Sequence, residues 1–153
     1  MSGSGFRQPE FLTPADEPVN RIRCPIHGFI RFSENERQII DDPHFRRLRW
    51  IRQLALTELV YPGATHTRFE HSLGVMEVAS RIFDSLARTH GNVMEQTFAT
   101  VEQLKERPLA RARQLIRLAA LLHDTGHCCF SHAAEEVILK NLGRDHEVLT
   151  VQR

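Results

Sequence analysis

No stretch of this chain reaches the roughly 18 consecutive apolar residues of a membrane-crossing helix, and the amino terminus lacks the short apolar core of a secretory signal. A soluble, cytoplasmic protein with no membrane partner is the expectation. Cysteine is scarce. Cys24, Cys128 and Cys129 are odd in number and two are neighbours, which excludes a disulfide framework and fits a reducing compartment. Neither sign of charge dominates: a formal net charge of +1 provides no general attraction to nucleic acid, which is not an expected partner. Repeats and low-complexity tracts are absent too. What is present, 41% hydrophobic and 25% charged residues over 153 positions, suffices for one globular domain or most of one.

Residues 1–19, rich in glycine, serine, proline and charge, read as a flexible arm. Fold information starts near Asn20. Residues 21–32 alternate around a proline and glycine turn, as a short β-hairpin does. Ser33 with Glu36 makes a capping box for a helix over 34–41, and Asp42 before Pro43 suits a second helix reaching about Leu54. Residues 56–63 read as a loop or a small extended segment. A long helix is expected from about Thr67 to Thr89, stopping before Gly91, then a weaker helix or ordered connection over 92–107. Pro108 opens a buried helix that ends at His123 and Asp124, and residues 133–142 read as another helix.

Two segments carry the chemistry. In Arg68-Phe69-Glu70-His71-Ser72-Leu73-Gly74, His71 closes a stripe of Val75, Val78, Ile82 and Leu86 whose spacing places them on one helical face, so the imidazole is expected to point inward. In the second, the apolar run from Leu115 to Leu122 leads into His123-Asp124-Thr125-Gly126-His127-Cys128-Cys129-Phe130-Ser131-His132, where Gly126 is a plausible helix stop. Successive helical residues diverge by roughly 100°, so His123 and Asp124 can serve one ion only at a helix end or distortion. Imidazoles beside a carboxylate form the mixed donor set that divalent first-row metals favour. A single histidine on an apolar face is more often a hydrogen-bonded core residue than a ligand. Three histidines and an aspartate within ten positions are harder to explain structurally.

These segments resemble the HD-domain metal-dependent phosphohydrolases, especially the branch containing deoxynucleoside triphosphate triphosphohydrolases. Asp42-Pro43-His44-Phe45-Arg46-Arg47-Leu48-Arg49, Tyr61-Pro62-Gly63-Ala64-Thr65-His66-Thr67-Arg68 and Cys24-Pro25-Ile26-His27-Gly28 look like the same branch, so the likeness covers roughly residues 20–150. The resemblance implies an all-α HD-domain helical fold with a small amino-terminal β-hairpin, and His71, His123 and Asp124 as three of four ligands to a divalent metal ion (Mn, Fe, Ni, Zn or Mg). It also implies that His127, His132, Glu135 and, through His146-Glu147, His146 touch phosphate or assist proton transfer. Arg68, three residues before His71, is expected to share a phosphate with the metal, or to form a helix-end salt bridge.

In the family the fourth ligand is an aspartate well downstream. Asp145, the only later aspartate, stands too close to match it. Residues 20–153 therefore read as the amino-terminal part of an HD domain truncated at its carboxyl end, with weak or empty metal occupancy expected for the chain by itself. The implied function is hydrolysis of a nucleotide, a deoxynucleoside triphosphate cleaved to nucleoside and triphosphate. The alternatives are another phosphoester, such as a nucleoside monophosphate or cyclic nucleotide, and a noncatalytic nucleotide-binding module. Exposed apolar surface and a homo-oligomer are further expectations. Arg46, Arg47, Arg49 and Arg52 read as a solvated helix face, with room for a subunit contact, in preference to a phosphate site. Cys128 and Cys129 read as space-filling residues, and His27 and His66 as structural.

Overall fold

A computed structural model of the chain describes residues 18–129 and 146–151. The first elements form the expected antiparallel hairpin, β1 (Asn20–Cys24) and β2 (Gly28–Phe32), with Ile22 opposite Ile30. Alternation buries Ile30 and Phe32 and turns Phe29 and Arg31 outward. Gly28 sits in the turn at φ +75°, where a side chain would be strained.

Ser33 caps α1 (Glu34–Asp41) reciprocally: its hydroxyl accepts from the Glu36 amide, and the Glu36 carboxylate accepts from the Ser33 amide. Asp42 then caps α2 (Pro43–Arg46), with Pro43 in the first turn. The second helix does not continue to Leu54. It tightens into a 3-10 turn over Arg47–Trp50, and Ile51 is extended. Phe45, Leu48 and Ile51, all buried, are spaced by three, and a winding of about three residues per turn keeps such a set on one face.

Thr67 and Glu70 form a second reciprocal cap and start α3 (Arg68–Ala99). The helix runs on through Gly91, bending at His90 (φ −132°, ψ 24°), where a stop was expected. Beyond the bend, Met94 and Phe98 join Phe83, Ala87 and Leu104 in a small apolar cluster. That burial outweighs the roughly 1 kcal/mol that a glycine costs inside a helix. After a 3-10 turn at Glu102–Leu104 comes α4 (Pro108–Leu122), and α5 (His146–Val151) is the last described element. Among the described residues the protein is thus helical apart from one hairpin, as the all-α reading required.

Helices α3 and α4 pack side by side in opposite directions, because Asp84 meets Arg113, Ser80 meets Arg117 and Arg68 meets Asp124. The main core lies between them, the hairpin and the first two helices: Ile30, Phe32, Phe45, Leu48, Phe69, Met76 and Leu121 are among its buried members. Arg117 joins four elements, donating to both Glu36 oxygens at 2.6 and 3.0 Å, to the Ser80 hydroxyl and to the Arg31 carbonyl.

The stripe expected to face inward does not. Val78, Ile82 and Leu86 are 42%, 56% and 48% exposed, while Phe69, Leu73, Met76, Ser80 and Phe83 form the buried face of α3. The run ahead of His123 divides in the same way: Leu121 is buried, whereas Leu115 and Ile116 are not. Which stripe is covered follows from α4, whose Arg113 and Arg117 reach their polar partners Asp84 and Ser80 only across that interface.

Candidate metal centre

The cap at Thr67 sets His71 one turn into α3, and its face brings the residue level with the end of α4. There His123 is the C-terminal cap of the helix, still with helical dihedrals (φ −53°, ψ −33°). The chain then winds tightly, with Thr125 N–H on the Leu122 carbonyl at 3.0 Å and His127 N–H on the Asp124 carbonyl at 3.2 Å. At this helix end two successive side chains, His123 and Asp124, address one point.

His71, His123 and Asp124 each present one donor atom within 4.8 Å of the other two. His71 Nε2 lies 3.7 Å from Asp124 Oδ2, and His123 Nε2 lies 3.2 Å from Oδ1. The two imidazoles meet edge to face at 5.3 Å. Their side chains are 35% and 37% exposed above a buried carboxylate, so solvent reaches the cluster past the rings. His123 Nδ1 is 2.8 Å from the Ala120 carbonyl, which can only accept, so Nδ1 is the donor to the backbone and Nε2 is the nitrogen turned toward Asp124. Burial, followed by the neighbouring His123, Arg68 and His66, holds His71 below the ordinary imidazole value, against the opposing pull of Asp124. A neutral ring is what a metal requires.

Asp124 is also met by two more buried groups. Arg68 Nη1 donates to Oδ2 at 2.5 Å, and His127 Nε2 stands 3.5 Å from Oδ1. Arg68 is only 1% exposed, and it meets the Asp124 carboxylate within the protein interior. The donor set fits a divalent ion in kind. It also fits nearly in span, since donors on opposite sides of an ion bound at about 2.1 Å stand about 4.2 Å apart, slightly less than the cluster's outer distance.

An open groove of about 550 Å³ starts at His71 and runs along the uncovered face of α3, past Gly74, Val75, Val78 and Ile82. His27 and His66 line it, and His27 packs on Gly74 so closely that a Cβ there would stand 3.1 Å from Nε2. Of the remaining sequence candidates, His132 and Glu135 lie outside the described residues, as does the side chain of His146. Cys128 is partly buried and Cys129 exposed.

The arginine cluster is not a uniformly solvated face. Arg47 reaches the carbonyls of Thr125 and His127, Arg49 lies over the Phe69 ring at 3.6 Å, and Arg52 pairs with Glu58 at 3.1 Å. Sequence reasoning passed over Arg47 as a site residue and did not consider Thr150, whose hydroxyl sits between Gly126 N and the His123 carbonyl. No local pattern marks either one, since both act from elements distant in sequence.

Residues 68–153 match the model of the HD domain family. Over 127 residues the chain is 45% identical to an uncharacterized protein of Methanocaldococcus jannaschii, covering 83% of this chain and 22% of the relative. It is 38% identical over 123 residues to deoxynucleoside triphosphate triphosphohydrolase SAMHD1 of Bos taurus, covering 80% of this chain and 19% of that protein. A crystal structure of a hypothetical protein from Aquifex aeolicus superposes with a TM-score of 0.62 at 38% identity, over 87% of this chain and 30% of the other. The chain thus spans between 19% and 30% of the length of these three proteins. On the family match, these relatives and the helical fold that carries the cluster, the chain belongs to the HD domain family.

Proposed function

We propose that this chain carries the metal-binding portion of a metal-dependent phosphohydrolase that acts on a nucleotide. The observation that carries the reading is the meeting of His71, from one helix, with His123 and Asp124, from the end of another, within 4.8 Å. The similarity to a deoxynucleoside triphosphate triphosphohydrolase favours cleavage of a deoxynucleoside triphosphate to nucleoside and triphosphate. His71 Nε2, His123 Nε2 and one Asp124 oxygen would hold a divalent ion (Mn, Fe, Ni, Zn or Mg), which when bound polarises a phosphoryl oxygen and lowers the pKa of water.

The chain's own groups take the other roles. Arg68 orients Asp124 through its 2.5 Å contact and places positive charge where phosphate oxygens approach. His127, buried beside Asp124, is held for hydrogen bonding or proton transfer at the phosphate. His132, with Glu135 three residues on, is assigned proton transfer to the leaving oxygen, and His146 contact with phosphate.

The test measures metal content and product release from a nucleotide panel, on this 153-residue chain and on the longest natural polypeptide containing it. Released triphosphate supports the reading. Orthophosphate moves the assignment to another phosphoester bond, and a metal-loaded protein that releases neither is a noncatalytic module.

A further inference from the structure

The backbone of residues 123–127 can be followed group by group, because an unpaired buried amide or carbonyl is costly. Two bonds stay near the turn, from Thr125 N–H to the Leu122 carbonyl and from His127 N–H to the Asp124 carbonyl. Four backbone groups are served from elsewhere. The Thr150 hydroxyl, on α5, accepts from Gly126 N–H at 2.8 Å and donates to the His123 carbonyl at 3.2 Å. The Arg47 guanidinium donates through Nη1 to the His127 carbonyl at 2.6 Å and through Nη2 to the Thr125 carbonyl. Thr125, Gly126 and His127 are all buried, so solvent is a poor substitute for these partners.

We propose that Arg47 and Thr150 are positioning residues, which hold the 123–127 turn in its tightened form and thereby aim His123, Asp124 and His127 at a common point. This deepens, and rests on, the metal-dependent reading above. The chemistry of each side chain suits the task. A hydroxyl both donates and accepts, so one atom can serve a carbonyl and an amide three residues apart. A guanidinium has a flat fork of N–H groups that can span two carbonyls, which a lysine ammonium cannot reproduce. Released from these partners, the 123–127 backbone is free to leave the one conformation in which His123 and Asp124 are seen to meet His71, and the shared target is lost. Neither residue needs to touch a nucleotide or an ion.

Thr150→Val keeps the volume and removes the hydroxyl, whereas Thr150→Ser keeps the hydroxyl. Nuclear magnetic resonance on the metal-free chain is the first measurement. The Gly126 amide should exchange about 10-fold faster or more in Thr150→Val, and the imidazole resonances of His123 and His127 should shift, with Thr150→Ser restoring both. Calorimetric titration with Mn²⁺ is the second: affinity should weaken about 10-fold or more in Thr150→Val and Arg47→Lys and stay near wild type in Thr150→Ser. A merely structural role would lower the melting midpoint while leaving the imidazole resonances and Mn²⁺ affinity unchanged, and that result overturns the proposal. So does a Thr150→Ser variant as impaired as Thr150→Val. The titration uses the longest natural polypeptide containing this chain; if that polypeptide takes up no Mn²⁺, the metal-dependent reading fails, and the metal-free resonances decide the positioning role by themselves.

Discussion

Among the described residues, three arginine–carboxylate contacts cross the buried interior, and they are not alike. Arg113 meets Asp84 through two parallel bonds of 2.7 and 2.9 Å, and Arg117 meets Glu36 through bonds of 2.6 and 3.0 Å, so both oxygens of each carboxylate are engaged by a guanidinium. Arg68 touches Asp124 at Oδ2, and Oδ1 faces the imidazoles of His123 and His127 at 3.2 and 3.5 Å. The first two pairs are cross-links between helices. The third leaves a carboxylate oxygen aimed at groups that share a cation well, which distinguishes a site from a brace within one chain.

Replacing Asp124 by alanine gives the largest expected effect on this contrast. Mn²⁺ binding, read by calorimetry, should weaken beyond the roughly 10–100-fold that loss of an outer partner costs, and any hydrolysis should fall to background. Replacing Asp84 by alanine is the counterpart on the bracing side. It strands Arg113 in the interior and should cost about 3–5 kcal/mol in urea unfolding while Mn²⁺ affinity stays unchanged. If the Asp84 variant lost Mn²⁺ as the Asp124 variant does, the division into brace and site would not hold.

A smaller effect tests the element that delivers His71. Thr67→Ala removes the hydroxyl that accepts from Glu70 N–H and should lower stability by about 1 kcal/mol in the same unfolding experiment. The smallest is a pH dependence. His71 in the folded chain sits below its ordinary value of 6.5, so the unfolded chain binds the proton more readily. The stability it contributes is complete above the unfolded value and is lost as the pH falls through the lower folded one. Thermal melts of the metal-free chain from about pH 7.5 to about pH 5 should therefore fall more steeply for wild type than for His71→Gln.

Features governed by near neighbours were legible in the sequence. The hairpin declared itself by alternation, α1 by Ser33 and Glu36, and α4 by Pro108 at one end and His123 at the other. The Thr67–Glu70 cap carried an equally clear signal that the reading left unused. Winding and face were harder to read. The tight turn after α2 answers to the burial of Leu48 and Ile51, and the continuation of α3 past Gly91 answers to Phe83 and Leu104. Periodicity identified a stripe on α3 but not its fate, because two apolar stripes on one helix look alike until a neighbour covers one of them.

By itself the sequence determined the starts of the principal helices and the choice of His71, His123 and Asp124 as a set to watch, since capping, periodicity and side-chain chemistry act over a few residues, while the helical class came from the family resemblance. Tertiary structure decided that Arg68 closes on Asp124, that Arg47 leaves an apparently solvated patch to hold a distant turn, and that Val78 and Ile82 stay uncovered by any described residue. Those outcomes depend on which surfaces meet across separations of up to about eighty residues, and the favourable energy of a contact exists only once both partners are in place.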